Sequence, residues 1–445
     1  MLIEKDIFDR MPKKVLILCH DFPPHNSVAA QRPYSWYRYF KSFGYSTTVI
    51  TKTWKPNASN PVEALRAEYN GESSIETTGF GKIIRVSSNQ ILPEKMLLKY
   101  GDKKFSLLRK LFTFIYKALS FFIPFFDRNQ TIYTAAVKEC FNENFDFVIS
   151  TGEPFILFVF ANKLRKKFGI KWIGDYRDMW KNNHNARFRN DLLSRLLNWW
   201  EWQIEKRVVP HATFVTTTEP MNAQTLKKRI PNQIEIIYNG FEDFYQSYTE
   251  NQKSTQLILT HTGTIIPGQE FEFLLQAISE LNTDKKITPA DLQIRFIGIE
   301  FYGDQMQRLF SYDKTLAPYF FTTPRLSRTQ ALEWNSKSDF LISLTDPGYK
   351  TISVKTYDYL SVKKPILVIP DDRGLLSEIV EQTQSGFSFD SVEKLKTFLL
   401  EKIELKKNNQ PLTTLSFNAE KISFYRRENQ AKIFVALLNN AQSKN

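Results

Sequence analysis

The sequence predicts an α/β protein built from two tandem, doubly wound parallel-sheet domains. Three observations carry that prediction. Short runs rich in β-branched and aromatic residues alternate with longer segments of helical period, which is the pattern of βαβ units. The alternation stops at a polar stretch after Asn239-Gly240 and then starts again. A length of 445 residues also exceeds what one ordinary core supports, so two domains of about 200 residues each are expected.

The first series of strands is expected at Val15 to Cys19, Thr47 to Thr51, Ile83 to Val86, Phe147 to Ser150, Trp172 to Asp175, Thr213 to Thr217 and Ile234 to Tyr238. Each is short and bounded by turn-forming or helical sequence, as strands are and helices are not. Between the third and fourth lies Leu107 to Phe126, LLRKLFTFIYKALSFFIPFF, whose apolar positions are interrupted by Arg109, Lys110 and Lys117. A spanning helix needs about 18 to 20 apolar residues in a row. This stretch therefore predicts an amphipathic helix lying on a surface, either that of its own domain or the inner face of a membrane. Glu242 to Gln256, EDFYQSYTENQKSTQ, is polar and without apolar period, and reads as the interdomain linker. The second series follows at Leu257 to His261, Ile294 to Gly298, Phe320 to Thr323, Phe340 to Leu344 and Ile366 to Ile369, with helices at Phe271 to Leu281 and Thr329 to Ser336. Phe417 to Asn440 reads as one terminal helix. The expected domains are 1–242 and 255–416, with 417–445 as an appended helical segment.

Hydrophobic residues at 42% and charged residues at 24% are those of a soluble globular chain and exclude extensive disorder. The net charge of +13 suits an anionic partner: nucleic acid, anionic lipid or a phosphorylated small molecule. No RNP-type or zinc-finger signature accompanies the basic residues, so nucleic acid is not expected. Cys19 and Cys140 have no paired spacing and no leading signal peptide precedes them, which points to a reducing compartment, the cytoplasm. The histidines, at 20, 25, 184, 211 and 261, lack zinc-ligand spacing, and the adjacent Asp371 and Asp372 lack the Asp-x-Asp spacing of a metal site. Neither a metal nor a cofactor is expected.

Ligands of doubly wound sheets bind beyond the carboxyl ends of the strands, so the chemistry is sought in the loops there. After the first strand comes His20-Asp21-Phe22-Pro23-Pro24-His25-Asn26-Ser27-Val28-Ala29-Ala30-Gln31-Arg32. Its small residues at a helix start either let backbone amides approach an anionic or hydroxyl-rich ligand or simply shape the turn. Two further strands run into Thr151-Gly152-Glu153-Pro154 and Asp175-Tyr176-Arg177-Asp178-Met179-Trp180. Asp175, Arg177 and Asp178 can hydrogen-bond sugar hydroxyls, hold a phosphate or brace one another, and Trp180 can stack on a sugar face or fill its loop. In the second series, His261-Thr262-Gly263-Thr264 follows the first strand, and Asp346 begins DPGYKTISVKTYDYLSVKKP. Lys355 lies near a helix start, where its ammonium and the helix dipole both favour a diphosphate. A carboxylate such as Asp358 accepts from two neighbouring hydroxyls at once. Asp371-Asp372-Arg373-Gly374 opens another helix, carrying Glu378.

Taken in order, these segments resemble glycosyltransferase family 4. The Phe22-Pro23-Pro24 loop, the Thr-Gly-x-Pro and Asp-Tyr-Arg-Asp-x-Trp strand ends, and the Ser353-x-Lys355-x-x-Asp358-Tyr359-Leu360-x-x-x-Lys364-Pro365 helix carry the resemblance. It implies a GT-B fold, two Rossmann-like domains facing a central cleft, and the following roles. Arg32, Thr151, Asp175 and Trp180 would meet the acceptor; Gly263, Thr264, Lys355, Tyr357, Asp358, Gly374 and Glu378 would hold the donor; Arg177, Asp178 and Asp346 would be catalytic. The chain departs from the family at Ser27, Ala29 and Ala30, where a glycine pair is usual. Ile265 to Glu270 has neither Arg nor Lys, so Lys355 is expected to supply the cation, and Lys350 stands where the family carries an acid. The implied activity is retaining, metal-independent transfer from a UDP- or GDP-linked sugar to a saccharide or lipid-linked acceptor in cell-surface polysaccharide synthesis. Two other readings fit the same residues: a nucleotide-sugar epimerase, and a noncatalytic nucleotide-sugar-binding subunit of a polysaccharide assembly.

Overall fold

A computed structural model describes residues 12–25, 27–54, 65–66, 71–101, 104–180, 192–243, 254–301, 303–346 and 352–443. The chain forms two compact units, residues 1–238 together with 431–445, and residues 239–430. Of the expected linker, residues 244–253 lie outside the described residues.

The first unit is built on an eight-stranded sheet. Its strands are β1 (Lys13–Leu18), β2 (Tyr45–Lys52), β3 (Ser74–Thr77), β4 (Gly81–Val86), β5 (Phe147–Gly152), β6 (Lys171–Tyr176), β7 (Phe214–Thr217) and β8 (Ile234–Ile236), in the order β3-β4-β2-β1-β5-β6-β7-β8. All neighbours are parallel except β3, which runs antiparallel to β4. Side chains alternate across a strand. In β1 they divide between two apolar layers, with Leu16 and Leu18 in one and Val15 and Ile17 in the other. Burial on both faces is why the central strands read as unbroken apolar runs.

Helices α1 (Val28–Tyr39), α2 (Leu92–Tyr100), α3 (Ser106–Ser120), α4 (Gln130–Asn142), α5 (Ile156–Phe168), α6 (Leu192–Val208) and α7 (Pro220–Lys227) also belong to this unit. The expected helix over Leu107 to Phe126 is shorter than its apolar pattern: it ends at Ser120, and Pro124–Phe126 form a separate single turn. Pro124 cannot donate a helical hydrogen bond, which accounts for the break.

The second unit has a wholly parallel six-stranded sheet, β11-β10-β9-β12-β13-β14. The strands are β9 (Leu257–Thr262), β10 (Leu292–Ile297), β11 (Phe320–Thr323), β12 (Phe340–Leu344), β13 (Ile366–Ile369) and β14 (Gly386–Ser388). They are joined by α8 (Glu272–Thr283), α9 (Gly303–Tyr312), α10 (Arg328–Ser336), α11 (Val354–Val362), α12 (Leu375–Gln382) and α13 (Val392–Lys407).

The expected single terminal helix is two, α14 (Ala419–Phe424) and α15 (Arg427–Ser443). Between them the backbone turns aside to bond Phe241, with Phe241 N–H donating to Tyr425 O (3.0 Å) and Arg427 N–H to Phe241 O (2.9 Å). From Ala431 onward α15 belongs to the first unit, where Phe434 is fully buried against Trp36, Phe40 and Phe214. Burying one such ring stabilises by about 1.5 to 3 kcal/mol.

Candidate functional site

In the first unit the strand-end loops are held by one buried ion pair. Arg32, from α1, donates through Nε and Nη2 to Asp175 at the end of β6 at 2.6 to 3.1 Å, and through Nη1 to the carbonyl of Ile237 at 2.5 Å. Asp175 also accepts from Thr151 Oγ1 (3.0 Å) and Thr216 Oγ1 (2.7 Å), so its carboxylate meets donors on three elements. Arg32 is 2% and Asp175 0% exposed. Arg32 and Thr151, both expected at the acceptor, thus meet at the carboxylate of Asp175, the third residue expected there, and this network ties β5, β6, β7 and α1 together.

Trp180, for which the sequence allows a sugar face or a filled loop, stacks on Phe155 at 4.9 Å within the core. Arg177 and Asp178 form a part-exposed pair at 2.7 Å on the same loop.

The loop after β1, expected to approach a ligand through its backbone amides or to shape the turn, also carries a side-chain cluster. His20 Nδ1 lies 2.9 Å from Asp21 Oδ1, Ser27 donates to Asp21 Oδ2 at 3.2 Å, and the His25 ring stacks on Trp54 at 3.8 Å. Burial pushes the Asp21 carboxyl up. The hydrogen bond from His20 and the charges of His20, His25 and Arg177 more than offset it, leaving the group below its ordinary value. The signal was available in His20-Asp21-x-x-x-His25. What hid it was Trp54, which comes from the end of β2 and is brought in by the fold.

In the second unit Gly263 follows β9 with φ at +89°, a conformation that costs other residues about 1 to 2 kcal/mol. A Cβ there would also sit 2.8 Å from Lys355 Cε. The Lys355 ammonium donates to the Thr264 carbonyl at 2.6 Å and to His261 Nε2 at 3.1 Å. His261 Nδ1 lies 3.0 Å from the Ile342 carbonyl, which requires that nitrogen to carry the hydrogen and leaves Nε2 to accept. Burial and the Lys355 charge hold the His261 pKa well below its ordinary value, so the imidazole is neutral. Lys355 is half-buried as a residue, but its ammonium end is enclosed, and burial lowers its pKa to about 7.

Thr264 and Lys355 open onto a pocket of about 260 Å³ that Asp346, Ser353 and Asp372 also line. Gly268 has no Cβ to block Asp346, whose Oδ2 lies 1.9 Å from where one would stand. Asp358, one turn beyond Lys355, is held by Arg328 Nη2 at 2.6 Å and Nε at 3.2 Å, a partner from α10 that the sequence reading missed. Tyr357 is buried, and Tyr359 accepts from the Thr262 amide at 3.0 Å, tying α11 to β9. Gly374 opens α12, but its amide and those of Leu376 and Ser377 donate to Asp372, which therefore fills that helix start with a carboxylate of the chain itself. Glu378 is exposed on α12, and Lys350 lies outside the described residues. Among the described residues no three His, Cys, Asp or Glu side chains come together to hold a metal ion.

Two units, each built on a largely parallel sheet, are an architecture shared with solved structures of sugar-transferring enzymes. Sucrose-phosphate synthase from Thermosynechococcus elongatus superposes with a TM-score of 0.63 at 12% identity, over 97% of this chain and all of that one. HepE from Anabaena, solved in complex with UDP and glucose, gives 0.58 at 11% identity over 96% of this chain and all of its own. A glycosyltransferase from Rickettsia africae gives 0.58 at 13%, over 98% of this chain and all of its own. The fold is GT-B. No family model and no curated protein matches the sequence. Within the GT-B frame, the pocket at Thr264 and Lys355 lies beyond the carboxyl ends of β9 and β12, where ligands of such sheets bind.

Proposed function

We propose that this chain transfers a sugar from a nucleotide-sugar donor, UDP- or GDP-linked, to a saccharide or lipid-linked acceptor in cell-surface polysaccharide synthesis at the inner face of the cytoplasmic membrane. The observation that carries the reading is the Lys355 ammonium beside the Gly263-Thr264 turn, hydrogen-bonded to a carbonyl and a neutral imidazole. Both partners leave the positive charge uncompensated, and a diphosphate would compensate it. Solved GT-B neighbours that hold UDP or UDP-glucose support the same donor class.

In this scheme Lys355 and the start of α11 bear the charge that develops on the departing nucleoside diphosphate. Asp346 meets the sugar, and Arg177 and Asp178 stand on the acceptor's side. The Arg32–Asp175 pair positions the loops without touching substrate. The resemblance noted in the sequence adds retention at the anomeric carbon and no need for metal.

The test is a thermal-shift and calorimetric screen of UDP, GDP and ADP and their sugars, followed by transfer to a panel of saccharide and lipid-linked acceptors with and without chelator. Binding of one nucleotide-sugar and metal-independent transfer with retained configuration is expected. Failure of every nucleotide to bind would sink the proposal. The second reading, a noncatalytic binding subunit, is favoured by one observation: Arg328 already takes the Asp358 carboxylate that the resemblance gives to the ribose. Binding without transfer would decide for it.

A further inference from the structure

Helix α3 leaves its apolar side uncovered. Leu107, Leu111 and Ile115 recur every four residues, so they share one face, and Leu108 and Leu119 adjoin it; all are exposed, Leu107 at 79%. The helix is nonetheless anchored. Ser120 and Phe121 are buried at its end, and Trp200 of α6 donates to the Ala118 carbonyl at 3.3 Å. Beyond it Phe122, Ile123 and Phe125 continue the uncovered surface, Phe125 at 64%, and Trp199 of α6 is exposed as well.

The charge carried by this segment itself has one sign. Between Asp102 and Asp127 the sequence holds Lys103, Lys104, Arg109, Lys110 and Lys117 and no acid. Lys104 and Lys110 are exposed at the margin of the apolar face, and Lys117 pairs with Glu201 of α6. A fixed helix with an aliphatic face, a basic margin and an exposed tryptophan has the composition of an element lying in a bilayer interface. Juxtaposed lysines favour anionic headgroups over zwitterionic ones. At about 1.5 Å per residue the helix is about 22 Å long, enough to lie along the surface. Among the described residues no helix is long and apolar enough to cross a membrane.

We propose that the exposed face of α3 and the turn after it dock on an anionic phospholipid bilayer. The inference rests on the proposed function only in placing a lipid-linked acceptor at that same surface. It is therefore tested without donor or acceptor, by sedimenting the full chain with vesicles of mixed phosphatidylglycerol and phosphatidylcholine, or of phosphatidylcholine alone.

Binding to the anionic vesicles is expected to be at least tenfold tighter than to the zwitterionic ones, and to weaken with salt. Leu107→Glu with Leu111→Glu should weaken it at least tenfold while leaving the melting temperature and any nucleotide binding unchanged, since neither side chain is buried. Lys104→Glu with Lys110→Glu should remove most of the preference for anionic lipid. Absence of wild-type binding, or equal binding by the leucine variant, overturns the inference. So does a wild-type dimer in light scattering that the leucine substitutions disperse while vesicle binding is absent, an outcome that assigns the surface to a second copy of the chain. Vesicle binding by a chain that binds no nucleotide would leave this inference standing and remove the transferase reading.

Discussion

At the scale of single residues, Lys355 ties stability and ligand binding to pH in opposite senses. Its ordinary value is 10.5, and burial lowers it to about 7 in the native protein. Between those values the unfolded chain holds a proton that the native chain has released, so this group makes folding more favourable as pH rises from about 7 toward 10.5. An anion in the pocket needs the protonated form. Nucleoside diphosphate binding should therefore take up a proton near neutrality and weaken above pH 7, with Kd rising by up to about tenfold per pH unit. Calorimetry in buffers of different ionisation enthalpy reads this directly, and Lys355→Met should flatten the profile. A flat wild-type profile would place Lys355 away from the diphosphate.

A charge-assisted contact of this type contributes about 1.5 to 3 kcal/mol. Lys355→Ala should accordingly slow turnover by roughly ten- to a hundredfold, and a loss under twofold would remove the residue from the site. Arg32 has a different task. Arg32→Met leaves the Asp175 carboxylate buried without its cation, a change that typically costs about 3 to 5 kcal/mol. Urea denaturation should show that loss, and combining it with Asp175→Asn should recover part of it.

At the scale of elements, what could be read from the sequence depended on how much each segment owes to its own neighbours. The run Phe147-Val148-Ile149 is buried on both sides of the sheet and shows as a strand from its composition alone. Strand β3 is exposed throughout and lies at the sheet edge, so no burial pattern marks it, and it escaped notice. The apolar spacing of the terminal segment continues through Tyr425-Arg426 and predicts one unbroken helix there. The bonds to Phe241 that interrupt it come from far away in the chain. The site divides the same way. The Ser353-x-Lys355 helix start is local and was legible, whereas His261 as the partner of Lys355, and Arg328 as the partner of Asp358, exist only once the sheet has formed. Helix α15 itself is testable through Phe434, whose ring contacts three aromatic residues of the first unit. Phe434→Ala should destabilise by about 3 to 5 kcal/mol, measured by denaturation.

At the scale of the whole molecule, the two units have separate apolar cores, and each should unfold as its own cooperative step. Differential scanning calorimetry should resolve two transitions. A nucleotide at about one hundred times its Kd should stabilise the second unit, which carries the Lys355 pocket, by about 2.7 kcal/mol, and a shift confined to the other transition would contradict the donor assignment. The division also bears on how the protein is made. The first unit is assembled from two stretches separated by the whole of the second, and Phe434, Val435 and Leu438 close the layer that holds Trp36 and Phe40. During synthesis, a nascent chain that has passed residue 238 still presents bare aromatic surface until 431–443 have been translated and have left the ribosome. Throughout that interval the uncovered apolar layer favours aggregation, and a chain ended before residue 431 should be less soluble than the full chain.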